Sequence, residues 1–119
     1  MRGALIAVAF ALSGCAVEPV IATPKLGERI LASYYTEGTH TASGERYRPD
    51  GLTAAHPTLP MGSVVRVTNL RNNQSVVVRI NDRGPARWTH RGIDLSRGAA
   101  LRLDMIQAGV IPVSVEKVQ

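Results

Sequence analysis

The sequence predicts a mainly β domain, with about six short strands closed into a small mixed barrel and one or two short helices. Three observations carry that expectation. Short β-branched runs recur along the chain, and each is bounded by Gly, Pro or Asn. Two consecutive runs alternate with strand period across a tight polar connection. Only one segment has helical spacing, so the βαβ rhythm of a parallel doubly wound sheet is missing. Closing such a sheet removes the exposed edges that short strands would otherwise present.

The chain starts with an address. Met1-Arg2 is a minimal positive region and residues 3–12 are an apolar run. A bilayer span needs about 20 residues, so this run has the length of a signal core instead. Leu12-Ser13-Gly14-Cys15 then resembles a bacterial lipobox, in which cleavage precedes the cysteine and its thiol is lipidated. The expectation is a signal peptide over 1–14 and a lipidated Cys15 opening a flexible tether over 15–28. That tether carries Pro19, Pro24 and Gly27 and has little periodicity. The folded domain is expected over 29–119.

Residues 29–35 read as the first strand. Residues 36–50 have no hydrophobic period and form a long polar loop, of the kind that in compact domains tends to be functional. Residues 51–56 are short and apolar, and Thr58-Leu59-Pro60-Met61-Gly62 is a turn. Residues 63–70 alternate, with Val65, Val67 and Asn69 on one face and Val64, Arg66 and Thr68 on the other. Arg71-Asn72-Asn73 is a hairpin connection and residues 74–81 return as the partner strand. That strand stops at Asn81-Asp82-Arg83-Gly84-Pro85, so it delivers a carboxylate to a strand end. Residues 85–91 are a polar loop containing Trp88 and His90, and 92–95 are extended. Ser96 is an N-cap for a helix running to Ile106, with Leu95, Ala99, Leu103 and Ile106 on one face, and Gly109 ends it. Residues 110–118 alternate again as the closing strand.

The bulk numbers agree with one small domain. The chain has 119 residues, 45% hydrophobic, with one Phe and one Trp, so its core must be Val, Leu, Ile and Ala. A formal charge of +5 suits an anionic partner, or merely solubility. The arginines are scattered and no basic stripe interleaves with aromatics, so no nucleic-acid partner is expected. Cys15 is the only cysteine, which excludes an intrachain disulfide and a multi-cysteine metal site. His40, His56 and His90 sit at unrelated spacings, so no metal and no cofactor are expected.

Seven blocks occur in order: Ala32-Ser33-Tyr34-Tyr35, Thr41-Ala42-Ser43-Gly44-Glu45, Leu52-Thr53-Ala54-Ala55-His56, Thr58-Leu59-Pro60-Met61-Gly62, Val65-Arg66-Val67-Thr68-Asn69-Leu70, Val77-Val78-Arg79-Ile80-Asn81-Asp82-Arg83-Gly84-Pro85 and Ile93-Asp94-Leu95-Ser96. Together they resemble the RlpA (rare lipoprotein A) family of septal-ring lytic transglycosylases over about residues 31–118. The resemblance implies a six-stranded double-psi β-barrel, shared with barwin-like proteins and expansins. It implies cleavage of β-1,4 MurNAc–GlcNAc bonds in peptidoglycan glycan strands, with preference for strands lacking stem peptides. The products would carry 1,6-anhydromuramyl ends, and the role would lie in cell-wall organisation and septation. The alternative is a non-catalytic, expansin-like wall-loosening or peptidoglycan-binding lipoprotein. In either case the expected partners are glycan strands and the membrane, through the lipid anchor at Cys15, with the domain a monomer facing the periplasm. Ala16 after the cysteine leans toward the outer membrane if the source is Gram-negative.

By the same resemblance Glu45, His56 and Asp82 are the catalytic residues. Asn81, Arg83, Arg79, Tyr35 and Asp94 are expected to bind substrate, the last because a similarly placed Asp lies in the sugar groove of expansin-like relatives. The chain departs from the family in three ways. Tyr34 stands where many members have Trp and the following loop is shorter, the 86–90 segment is atypical, and no SPOR segment for septal targeting is seen.

Local readings remain beside these. Asp82 could pair with Arg83 or cap the Gly-Pro turn, Glu45 could be a solvated loop residue, and His56 could be tied to the turn around Pro57. Asp94 most simply assists the helix N-terminus. Arg66, Arg79 and Arg83 could meet lactyl carboxylates or stand in solvent. Tyr34, Tyr35, Tyr47 and Trp88 could stack on sugars or pack. One carboxylic acid suffices for the implied reaction, because the sugar's own 6-hydroxyl replaces water as nucleophile.

Overall fold

The computed structural model describes residues 27–119. The expectations for the signal peptide, Cys15 and most of the tether lie outside them. Six strands are described: β1 (Glu28–Tyr35), β2 (Thr53–Ala55), β3 (Val64–Asn69), β4 (Ser75–Asp82), β5 (Ile93–Ser96) and β6 (Ile111–Lys117). One short helix, α1 (Arg97–Arg102), follows β5, and a 3-10 turn spans Arg87–Thr89. The strands close in the order β1-β5-β2-β4-β3-β6 and back to β1. Two pairs, β1/β5 and β2/β4, are parallel and the other four are antiparallel. This is the expected mainly β, closed mixed barrel.

The alternation seen in the sequence sets the inside of that barrel. Val65, Val67 and Asn69 are buried on β3 while Arg66 is exposed. The partner strand places Val76, Val78 and Ile80 inward and leaves Val77 and Arg79 out. Ile111, Val113 and Val115 do the same on β6. With Ala32, Ala54, Ile93 and Leu95 they form one cluster, to which Met105 is the only buried contributor outside Val, Leu, Ile and Ala. A small-residue core suits a narrow barrel, whose interior holds side chains and nothing more. Asn73 takes the left-handed conformation expected of the hairpin connection, with φ 64°.

The helix is shorter than its periodicity implies. Ser96 caps it as expected, its Oγ accepting from the Ala99 N–H at 3.2 Å. The same hydroxyl donates to the Gly51 carbonyl at 2.6 Å, so the cap also fastens the approach to β2. The helix stops at Arg102 rather than Ile106 because other partners take over. The Leu103 carbonyl accepts from the Asn69 and Asn72 side chains of the hairpin, at 2.9 and 3.2 Å. Asp104 then turns left-handed at φ 54°. Side-chain donors that take a terminal carbonyl end a helix as surely as a glycine does.

The 36–50 loop is ordered against the barrel wall. It folds back on itself through an isolated bridge between His40 and Arg46. The Ser43 N–H donates to the Asn81 carbonyl at 3.2 Å, which pins the loop tip to the end of β4.

Candidate active site

The site is built by one irregularity in the barrel. Along β2 and β4 the register runs Thr53 with Arg79, then Ala54 with Ile80, then Ala55 with Asp82. Asn81 is skipped, so a β-bulge sits there. Arg79 faces solvent and Ile80 faces the core. Strict alternation would therefore turn Asp82 inward with Ile80. The extra residue turns it outward instead, which is how bulges re-aim side chains. Asn81 is itself 2% exposed, and its Nδ2 donates to Glu45 at 3.2 Å.

The turned carboxylate joins a row across four strands. Ala55 is register partner to Asp82 on one side and to Asp94 on the other, and Asp94 is partner to Ser33. Directly opposed residues share a face, so Asp82, Ala55, Asp94 and Ser33 form one row on the outer face of the barrel, with Ala55 and Ser33 themselves buried. Neighbouring strands lie about 4.8 Å apart, which sets the backbones of the two aspartates about 10 Å apart with only a methyl group between them. The small Ala55 side chain thus stands between two carboxylates.

Asp82 is oriented by backbone. Its Oδ1 accepts from the Ala42 N–H at 2.8 Å and from its neighbour Arg83 at 2.9 Å. Its Oδ2 accepts nothing from the described residues, and is the oxygen left to meet a ligand. The expectation that Asp82 pairs with Arg83 holds only at the backbone. The Arg83 guanidinium donates through Nη1 to the His56 and Leu59 carbonyls, at 3.1 and 2.7 Å, so it braces the 56–59 turn.

Glu45 lies close by in a different state. Its two oxygens accept from Arg79 at 2.9 and 2.7 Å. These bonds, helped by Asn81, hold its carboxyl down at about 2. At neutral pH Glu45 is thus an ion-paired anion, and Arg79 is engaged with it rather than free for substrate.

His56 is buried, and its Nδ1 accepts from the Thr58 and Leu59 N–H groups, both at 3.1 Å. That bonding places the ring proton on Nε2. Burial lowers its pKa below the ordinary value, so the ring is neutral. Its backbone N–H donates to the Asp82 carbonyl at 3.2 Å, which ties the two segments together.

Asp94 does not serve the helix. Ser96 supplies the cap, while Asp94 accepts from the Ser33 hydroxyl and stands 3.8 Å from Arg91. Sequence proximity to a helix start was misleading because the residue is on β5 and its carboxylate is taken by Ser33 and Arg91.

Of the four aromatic candidates, Tyr34 donates to the Ile106 carbonyl at 2.9 Å and packs on the core, and Tyr47 is only 5% exposed. Tyr47 instead stacks beneath Tyr35, with centroids 4.5 Å apart. Tyr35 shares the face of Ser33 by strand period and so borders the groove. Its hydroxyl is buried without a hydrogen-bond partner among the described residues. Burial, then the carboxylate of Asp82, raise its pKa well above the ordinary value, so it is a neutral hydroxyl beside Asp82. Trp88 is 80% exposed on the 3-10 turn.

The groove residues that sequence reasoning passed over are Ala55, Ser33 and Arg91. Arg91 Nη1 donates to Ser33 at 2.8 Å beside Asp94. A small residue between two strands and an arginine in a polar loop leave no local signal; only the register joins them. Among the described residues no group of three or more His, Cys, Asp or Glu side chains could hold a metal.

A family model described as lytic transglycolase matches residues 28–115. The endolytic peptidoglycan transglycosylase RlpA of Campylobacter jejuni is 53% identical over 89 residues, covering 72% of this chain and 32% of the relative. The proteins of the same name from Pasteurella multocida and Pseudomonas aeruginosa (strain UCBPP-PA14) are each 52% identical, covering 75% and 71% of this chain and 31% and 26% of theirs. The chain thus spans about a quarter to a third of the length of the curated relatives it matches. Among solved structures, a Streptomyces papain inhibitor aligns at TM-score 0.64 with 24% identity, over 79% of this chain and 97% of its own. An expansin of Clavibacter michiganensis aligns at 0.62 with 22% identity, over 76% of this chain and 50% of its own. These two show the barrel fold alone.

Proposed function

The chain belongs to the lytic transglycolase family, with the RlpA proteins as its near relatives, and from that premise we propose that it cleaves peptidoglycan glycan strands with Asp82 as the general acid. The single observation that carries the reading is the bulge at Asn81, which turns Asp82 out onto the groove floor opposite Asp94.

A muramyl residue over Ala55 would bring its glycosidic oxygen to the Asp82 carboxyl. Oδ1 is occupied by two N–H donors, so Oδ2 is the oxygen from which the acid would donate. Transfer to the glycosidic oxygen breaks the bond from C1, and the leaving sugar departs with a new hydroxyl. Positive charge develops at C1 and the ring oxygen, where a neighbouring carboxylate such as Asp94 stabilises it. The muramyl 6-hydroxyl then attacks C1 and gives up its proton to the Asp82 carboxylate, closing a 1,6-anhydro ring and restoring the acid. Atoms and charge balance with no water consumed. Glu45 takes no proton in this scheme. Ion-paired with Arg79, it holds the loop that presents the Ala42 N–H to Asp82. His56, neutral and bonded into its turn, supports the end of β2 and offers only Nε2–H.

The wider proposal keeps the domain a monomer, lipidated at Cys15, held at the envelope facing the periplasm, and acting on strands without stem peptides during cell-wall organisation and septation. No cofactor or nucleic acid enters it. One observation favours the second reading, a non-catalytic glycan-binding module: two of the three expected catalytic side chains, Glu45 and His56, are already engaged in bonds that build the fold. Incubation of the purified protein with peptide-free glycan strands, followed by mass spectrometry, separates the two. Anhydromuramyl ends that disappear in Asp82→Asn support the enzyme. Retention of strands without any new ends supports the binding module.

A further inference from the structure

Among the described residues Tyr47 is the one buried aromatic side chain, yet it belongs to the 36–50 loop and lies outside the core cluster of the barrel. Its contacts explain the burial. Its ring stacks on Tyr35, with centroids 4.5 Å apart and planes 21° from parallel. Its hydroxyl donates to the Tyr35 carbonyl at 2.6 Å and accepts from the Arg97 N–H at 3.3 Å. Tyr35 and Ser96 are register partners that end β1 and β5, and Arg97 follows Ser96. One phenol therefore clasps the ends of two paired strands. Two residues back along the same pair stand Ser33 and Asp94.

A strand end frays unless something holds it. Tyr47 holds Tyr35 at both its ring and its carbonyl. The ring is thus fixed, while its own hydroxyl is buried and has no hydrogen-bond partner among the described residues. Folded proteins seldom leave a buried hydroxyl unpartnered, and one that is left so calls for a role. A side chain fixed before its ligand arrives loses little freedom on binding. The same loop aims Asp82 as well, through the Ala42 N–H at 2.8 Å. One loop therefore sets two groups that border the row of Asp82 and Asp94.

We propose that Tyr47 is a positioning residue of the site, acting through Tyr35, whose hydroxyl it holds in the pose that donates to a sugar oxygen of the bound strand. The inference rests on the glycan reading of that face and deepens it. Tyr47 is covered and meets no sugar itself. Tyr34, one residue earlier on β1, is the matched contrast, because its hydroxyl donates to the Ile106 carbonyl at 2.9 Å and its ring packs on the core. It serves the fold, whereas the Tyr35 and Tyr47 pair serves the ligand.

The test is a double-variant cycle of glycan-strand affinity in Asp82→Asn protein, which binds strands without turnover. Tyr35→Phe should weaken binding about threefold to tenfold. Tyr47→Phe keeps the stacked ring but loses its hold on the Tyr35 carbonyl, and should weaken binding about threefold. Tyr47→Leu loses the stack too and should approach the full Tyr35→Phe loss. In the Tyr35→Phe background, either change at position 47 should alter affinity by less than about twofold. Tyr34→Phe should leave affinity unchanged. Losses at position 47 that persist undiminished in the Tyr35→Phe background would make Tyr47 a support of the fold alone and overturn the proposal. Unaltered affinity in Tyr47→Phe and Tyr47→Leu would do the same, and Tyr47→Phe decides by itself if Tyr47→Leu does not fold. A second readout needs no glycan. Tetranitromethane should nitrate Tyr35 several times faster in Tyr47→Phe than in the parent, with Tyr34 unchanged, as read by peptide mass spectrometry. If the parent binds no strand but that rate rises, the glycan reading falls and the positioning of Tyr35 by Tyr47 stands; if the rate does not rise, the positioning falls.

Discussion

Asp82 and Glu45 are both carboxylates beside the same groove, and the fold treats them in opposite ways. Asp82 comes from a strand end, is aimed by a bulge and is held through one oxygen by two backbone N–H groups. Glu45 comes from a loop and is gripped through both oxygens by Arg79. Backbone donors orient a carboxylate without covering its second oxygen. A bidentate guanidinium covers both and fixes the negative charge. The first arrangement leaves a reactive edge, and the second makes a strut. Chemical type alone did not distinguish them.

The largest expected effect tests this contrast directly. Asp82→Asn should lower the formation of anhydromuramyl ends by about 10²-fold or more, while Glu45→Gln should lower it by less than about tenfold. Both are read by mass spectrometry of digested strands. Similar losses in the two variants would erase the distinction.

Deleting Asn81 removes the bulge. The outward phase of Asp82 is then lost, and either its carboxylate turns toward the core or the β2/β4 pairing slips. The expected cost is about 2–4 kcal/mol in urea unfolding, because a polar group is buried without partners. Unchanged stability would mean that the bulge does not set the direction of Asp82.

Tyr35→Phe separates a ligand contact from a structural one. The Tyr35 hydroxyl has no partner to lose among the described residues, so stability should stay the same or rise by up to about 1 kcal/mol. Glycan affinity should fall by about threefold to tenfold if the hydroxyl meets the sugar. A destabilised variant with unaltered binding would show instead that the hydroxyl serves the fold.

The smallest effects are in pH dependence, with opposite sources at its two ends. Glu45 has a folded pKa of about 2 against an ordinary 4.5. Its contribution is therefore present above pH 4.5 and is lost as pH falls toward 2. Both side chains of the pair are more than a third exposed, so solvent screening limits it to about 1 kcal/mol or less. Arg79→Gln should flatten that slope. His56 has a folded pKa below the ordinary 6.5, so the unfolded chain takes up its proton first and stability should drop as pH falls through 6.5. His56→Gln should remove that drop. Urea midpoints measured from pH 2 to 8 read both slopes.

Much of the fold was legible in the chain. The β3/β4 hairpin followed from its alternation and its Asn-rich connection, the aliphatic core from composition, and the cap at Ser96 from its place before an apolar stripe. The helix length was misjudged because the Leu103 carbonyl is claimed by Asn69 and Asn72, more than 30 residues away in sequence. Within the site, Asp82 was legible as a carboxylate at a strand end, and Tyr35 and Asp94 as its companions through the family blocks. The pairing of Arg79 with Glu45, the bracing role of Arg83 and the engagement of Asp94 by Ser33 and Arg91 were not, since each depends on a partner from another strand or loop.

The division has a physical cause. Period, turn chemistry and capping act between near neighbours, so the sequence by itself determined where strands begin and end, which faces are apolar and which residues could carry chemistry. Register, bulge and cross-strand pairing act between segments that meet only when the barrel closes. Only the tertiary structure could decide that Asp82 faces outward, that Ala55 stands between two carboxylates, and that Arg91 meets Ser33 beside Asp94.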